Sequence, residues 1–210
     1  MTTDTLAVKC EKFKSFLEKH ECVGFTGKQI VLKPNKKGEL KKSNAVYQKH
    51  SMITMENYSQ YIKQNDGTYC VITGKKSNLV VFDFDTPEAY EKFTGAFPQC
   101  KNDLTIKTNK GYHIYFEYND AFPTLATNEK SNVDIRSNEG LVYAYPTEYM
   151  HPDKGNIKYE IFNDAKRGTI TPEIINYYNV HLNDNPKKEK KEKKEKKEKT
   201  VKKKDEVVTK

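Results

Sequence analysis

At 210 residues the chain is long enough for one domain with a real core, or two small lobes sharing one, and it has no apolar run approaching the length of a membrane span. Its net charge is +8, yet the stretch Pro186 to Lys210 holds 13 lysines against six acids and supplies +7 of that; the preceding residues carry 24 basic against 23 acidic groups. A basic groove in the folded part must therefore come from uneven distribution, with Lys33, Lys36, Lys37, Lys41 and Lys42 as the local source. Four widely spaced cysteines, Cys10, Cys22, Cys70 and Cys100, suggest neither a structural zinc site nor a disulfide framework, so reduced thiols are expected. Met1-Thr2-Thr3-Asp4 is not a basic segment leading into a hydrophobic one, and the expectation is a soluble, intracellular protein without a leader.

In chain order, Leu6, Cys10, Phe13 and Leu17 recur at helical spacing and predict an amphipathic helix over 5–20 with its apolar stripe on the core. Residues 29–33 read as a strand, and the lysine-rich stretch Pro34 to Ser43 as a loop. A short helix is expected over 55–63, then strands at 68–72 and, through the apolar run Asn78 to Val81, up to Asp85. Thr86 fits an N-cap with Pro87 at the first helical position, starting a helix of about two turns. Strands near 103–108, 112–118, 133–137, 140–144 and 157–161 follow, and Pro172 opens a last helix through Tyr178. Helices interleave with strands early and strands dominate later, which gives a mixed α/β (α+β) class with a largely antiparallel sheet.

The chemistry gathers at strand ends. In Phe82-Asp83-Phe84-Asp85 the alternation of side chains puts both acids on one face and both phenylalanines on the other. Two carboxylates on one face repel, and a divalent cation is the usual remedy, although a solvated strand end is the plainer reading of the pair alone. Asn109-Lys110-Gly111-Tyr112-His113 reads as a tight turn feeding a strand with His113 and Tyr115 on one face. Val133-Asp134-Ile135-Arg136-Ser137 adds a third acid, with a cation two residues later on the same side.

Taken together, Thr73 to Asp85, Thr105 to Phe116, Asn132 to Ser137, Tyr143-Ala144-Tyr145-Pro146 and Tyr159-Glu160 resemble the bifunctional primase-polymerase domain of the archaeo-eukaryotic primase superfamily, of the viral and plasmid type. The likeness covers roughly 5–180; Gly111-Tyr112 stands where the family often has a small residue pair, and the zinc-binding insert of some relatives is not found. The resemblance implies a primase-like catalytic core, with an N-terminal α/β lobe and an RRM-like antiparallel lobe within 1–185. It implies DNA primase/polymerase activity in DNA replication, on a single-stranded DNA template with nucleoside triphosphates, often beside a replicative helicase. Two divalent ions, Mg2+ or Mn2+, would be held by Asp83, Asp85 and Asp134. His113, matching the motif histidine, would donate to the nucleotide's phosphates; taken alone it reads as a strand histidine bonded to a carbonyl. Arg136 would grip phosphate bidentately or orient Asp134. Lys107, Lys110 and Ser77 are further candidates for nucleotide or template phosphates.

Two rival readings remain at the level of sequence. Asp83-Phe84-Asp85-Thr86-Pro87 also resembles the start of haloacid-dehalogenase-type phosphatases, which expect Thr or Val at the place of Pro87 and a lysine followed by an acidic pair. A degenerate primase-like module that only binds nucleic acid is the other, against which the three intact Asp positions argue. Beyond Pro186, Lys-Lys-Glu repeats four times. Such a segment has nothing to bury and reads as a solvated, disordered tail, with a nucleic-acid tether or a linker to a helicase module as alternatives.

Overall fold

The computed structural model describes residues 4–36, 38–42, 50–64, 66–122, 125–128 and 131–182. The expectations for the Lys/Glu-rich tail and its boundary at 185 lie outside the described residues, as does Lys37.

Helix α1 (Leu6–Lys19) begins at Thr5, whose hydroxyl accepts from the Val8 amide; it buries Cys10, Phe13 and Leu17 of the expected stripe together with Phe16, while Leu6, in its first turn, is exposed. Strand β1 (Gly24–Gly27) follows, a short glycine-bounded strand with little apolar signal. The strand expected at 29–33 is displaced to β2 (Leu32–Pro34), and part of the expected loop is β3 (Leu40–Lys42); the two form an antiparallel hairpin that turns through Gly38 at φ 78. Where a helix was expected over 55–63 there is only a 3-10 turn, Tyr58–Tyr61. Strands β4 (Thr68–Ile72) and β5 (Leu79–Phe84) are where the apolar runs place them. Thr86 caps α2 (Pro87–Ala96) by accepting from the Ala89 amide, and the helix runs ten residues rather than two turns.

The second half is mostly sheet: β6 (Thr105–Lys107), β7 (Tyr112–Glu117), β8 (Leu125–Asn128), β9 (Val133–Arg136), β10 (Leu141–Tyr143), β11 (Glu148–His151), β12 (Gly155–Lys158) and β13 (Glu160–Asn163). The single strand expected at 157–161 is two, broken at Tyr159, with β12 pairing β11 and β13 pairing β6. Helix α3 (Pro172–Tyr177), capped by Thr171, widens into a π turn ending at Leu182.

One six-stranded sheet, in the order β13-β6-β7-β5-β9-β8, organises the molecule, with a three-stranded sheet β1-β4-β10 beside it; every pairing between these strands is antiparallel. On one face of the larger sheet Val80, Phe82, Phe84, Ile114, Phe116 and Ile135 pack against Tyr90 and Phe93 of α2 and Ile174 of α3. Phe82 anchors that core, its ring 5.5 Å from Phe93, 5.0 Å from Phe116 and 5.5 Å from Phe122. On the other face Leu79, Val81, Ile106 and Tyr115 join Phe13 and Leu17 of α1 and Tyr69, Val71 and Val142 of the smaller sheet. The β5 chain thus runs through both cores at once until Asp83, where the second core gives way to a cleft. The mixed α+β class with antiparallel sheets is what the structure shows. Among the described residues no helix is long and apolar enough to cross a membrane, and all four cysteines are buried, unpaired thiols.

Candidate active site

Register decides which side chains meet. Asp83 on the central strand β5 lies opposite His113 on β7 and opposite Asp134 on β9, so one row across three strands carries His113, Asp83 and Asp134 on the same face. Asp85, two residues further, continues that face, while Phe82 and Phe84 hold the strand down from the opposite side. The turn before β7 completes the arrangement. Gly111 is pressed against the end of β5, where a Cβ would collide with the Phe84 carbonyl oxygen, and this close approach brings Lys110 to 3.8 Å from Asp85 Oδ1. Thr108 braces the turn, its hydroxyl accepting from the Lys110 and Gly111 amides.

Each carboxylate has a nitrogen partner. His113 Nε2 stands 3.1 Å from Asp83 Oδ1, and Arg136 Nη2 donates to Asp134 Oδ2 at 2.5 Å. Burial would raise the Asp83 carboxyl, but His113, then Arg136 and Lys42, outweigh it and hold the group below the usual carboxylate range. The like-charge repulsion read from the sequence is therefore relieved within the protein itself. Among the described residues no three His, Cys, Asp or Glu side chains are gathered closely enough to hold a metal ion.

Asp83, Asp85, Lys110, His113 and Arg136 all line one cleft of about 580 Å³, of a size that takes a nucleotide. Asp134 adjoins it through Asp83 and Arg136. His113 is buried, with Nε2 committed to Asp83 rather than to a backbone carbonyl, and Nδ1 has no hydrogen-bond partner among the described residues. Arg136 donates to Asp134 and also lines the cleft, so its placement is compatible with both expected roles, orienting Asp134 and meeting phosphate.

Two expected candidates fall elsewhere. Lys107 pairs with Tyr112 and so projects from the face opposite His113, towards α2. Ser77 is buried at the start of β5, donating to the Ile72 carbonyl and accepting from the Val23 amide, which makes it a tie between strands. The expected basic cluster divides as well: Lys33 and Lys41 are exposed on one face of the hairpin, with Lys41 bordering the cleft and Lys36 exposed in the turn, whereas Lys42 shares the other face with Leu32 and Leu40 and enters the cleft.

Lys42 was expected only as one of a basic cluster, and its surroundings are what sequence reasoning missed. Its ammonium sits over three tyrosine rings, 4.8 Å from the centre of Tyr143, 5.3 Å from Tyr149 and 5.1 Å from Tyr159, and donates to Tyr159 Oη at 2.6 Å. The legible signal was the turn from Asn35 to Gly38 between Leu32 and Leu40, which marks a hairpin and sets Lys42 in register with Leu32. A second cavity of similar size lies beside α1, among Val8, Phe16, Lys19 and Tyr145, where Lys19 and His20 both meet Asp164.

The family model described as bifunctional DNA primase/polymerase, N-terminal, matches residues 26–174, a span that takes in every residue lining the cleft. Comparison with curated protein sequences gives no match. With most of its length matched, the chain belongs to the bifunctional DNA primase/polymerase N-terminal domain family.

Proposed function

We propose that this protein is a template-directed nucleotidyltransferase that extends a primer on single-stranded DNA during replication, with a nucleoside triphosphate in the cleft beneath the β2–β3 hairpin. The observation that carries the reading is the row His113, Asp83, Asp134 with Asp85 at its end, set in a nucleotide-sized cleft of a primase/polymerase-family chain. In the reaction the primer 3′-oxygen bonds to the α-phosphorus, the bond to pyrophosphate breaks, and the hydroxyl proton leaves to solvent.

Oxygen-only, ionised donors are what Mg2+ and Mn2+ take, and Asp83, held ionised by His113, is such a donor. As placed they form no ready-made metal site, so Asp83, Asp85 and Asp134 would have to draw together to hold two such ions, which would supply activation of the 3′-hydroxyl and neutralisation of the triphosphate. His113 fixes the orientation of Asp83, and Arg136 that of Asp134. Lys110, 62% exposed at the cleft mouth beside Asp85, adds a cation where phosphates would enter.

The test is incorporation of labelled nucleotide on single-stranded DNA with and without Mg2+ or Mn2+. Metal-dependent incorporation supports the reading. A folded protein that binds single-stranded DNA and incorporates nothing with either metal would instead be a binding module, and phosphate release without incorporation would point to a phosphatase.

A further inference from the structure

Among the cations lining the cleft, Lys42 is the one enclosed by aromatic rings among the described residues. Arg136, Lys110 and Lys41 each face a carboxylate, whereas Lys42, among the described residues, forms no ion pair. Asp83 and Asp85 are near enough to favour its charge but are engaged by His113 and Lys110. What surrounds the ammonium is three aromatic faces and one phenol oxygen. A cation withdrawn from water without an anion is costly, and a lysine that served packing alone would be better replaced by an aliphatic chain. Burial accordingly lowers Lys42 to about 8, against the pull of Asp83 and Asp85 in the other direction.

We propose that Lys42 is a phosphate-binding residue whose ammonium engages the polyphosphate of the nucleoside triphosphate in the cleft, an assignment that rests on the function proposed above. An ammonium carries three donors and one is directed at Tyr159, so the rest are available to phosphate oxygens. The tyrosine box holds the charge in place without neutralising it, which is what a fixed anion receptor requires. Lys42 faces inward on the hairpin among the tyrosines, whereas Lys33 and Lys41 project from its other face and Lys41 reaches only the rim as an exposed side chain, so the anion Lys42 meets is the one inside the cleft. It also offsets the acids: a polyanion approaching Asp83 and Asp85 meets Lys42 and Lys110 on the same lining.

The experiment compares equilibrium binding of a nucleoside triphosphate and of the matching monophosphate, both with Mg2+, to the full chain and to its Lys42→Met, Lys42→Gln and Lys42→Arg variants. Melting temperatures are taken on the same preparations. Lys42→Met and Lys42→Gln are expected to weaken triphosphate binding about tenfold, the loss typical of a charge-assisted hydrogen bond, with the monophosphate changed much less and Lys42→Arg keeping most of the triphosphate affinity. Equal weakening of both nucleotides, or unchanged triphosphate binding in a folded Met or Gln variant, overturns the assignment while the proposed function stands. Failure of the wild-type chain to bind triphosphate at all overturns the proposed function and this inference with it.

Discussion

Asp83 and His113 face each other across β5 and β7 with 3.1 Å between Oδ1 and Nε2, in a setting where His113 is 4% exposed. Each is the other's compensation: the imidazole keeps the carboxylate ionised, and the carboxylate gives the buried ring its one hydrogen-bonding partner among the described residues. Asp83→Ala should therefore cost about 1–3 kcal/mol of stability, because it strands a buried polar ring, and His113→Ala should cost a similar amount. The double variant should lose less than the sum, with a coupling of about 0.5–3 kcal/mol in a denaturation cycle. Additive losses would mean that the pair does not exist in solution.

The same pair sets an acid limit. The folded-state pKa of Asp83 is depressed, so its contribution to stability is present above the ordinary carboxylate value of 3.8 and is lost as pH falls through the lower folded value. Wild-type stability should drop in that acid range more than that of Asp83→Asn, which has no carboxylate to protonate. Parallel acid profiles for the two proteins would count against the assignment.

Gly111→Ala should be poorly tolerated although the turn is close to solvent. The added Cβ meets the Phe84 carbonyl, so either the turn or the end of β5 must shift, at about 1–3 kcal/mol. Because Lys110 and Asp85 are positioned by that contact, nucleotidyl transfer should fall in the fraction that remains folded.

Lys42 makes an opposite kind of prediction. The unfolded chain keeps the lysine proton up to about 10.5, the folded protein only to about 8, so between those values the unfolded state binds more protons and stability rises with pH. Below about 8 the penalty is felt in full. Lys42→Met should be more stable than wild type near pH 7, by about 1–3 kcal/mol after the lost Tyr159 hydrogen bond is counted, and the gap should close towards pH 10. Urea midpoints at several pH values measure this, and a Met variant less stable at every pH would refute it.

A chain ending at Asn185 lacks 13 lysines and six acids. It should bind single-stranded DNA more weakly and with a shallower dependence on salt, yet still incorporate nucleotide at low ionic strength. Loss of incorporation in that folded, shortened protein would move the functional boundary beyond 185.

Much of this arrangement was legible in the sequence because it rests on short-range rules. β4, β5, β7 and β9 are apolar or alternating runs bounded by turns, and alternation alone put Asp83 and Asp85 opposite Phe82 and Phe84. Thr86 before Pro87 announced α2. What escaped depends on tertiary partners. The 3-10 turn Tyr58–Tyr61 has helical periodicity, but its flanks extend no helix. Lys107 and Ser77 have side chains whose direction follows from pairing to Tyr112 and Val23. Lys42 looked like its neighbours in a lysine-rich loop until the hairpin register turned it inward and Tyr143, Tyr149 and Tyr159 converged on it from three separate segments.

The most direct measurement of the central claim is primer extension on single-stranded DNA of defined sequence, with Mg2+ or Mn2+, comparing wild type with Asp83→Asn in preparations of matched melting temperature. The account predicts that wild type adds the nucleotide complementary to each template position and that Asp83→Asn adds none above background. Extension by Asp83→Asn at the wild-type rate, or wild-type addition that ignores the template, would contradict it.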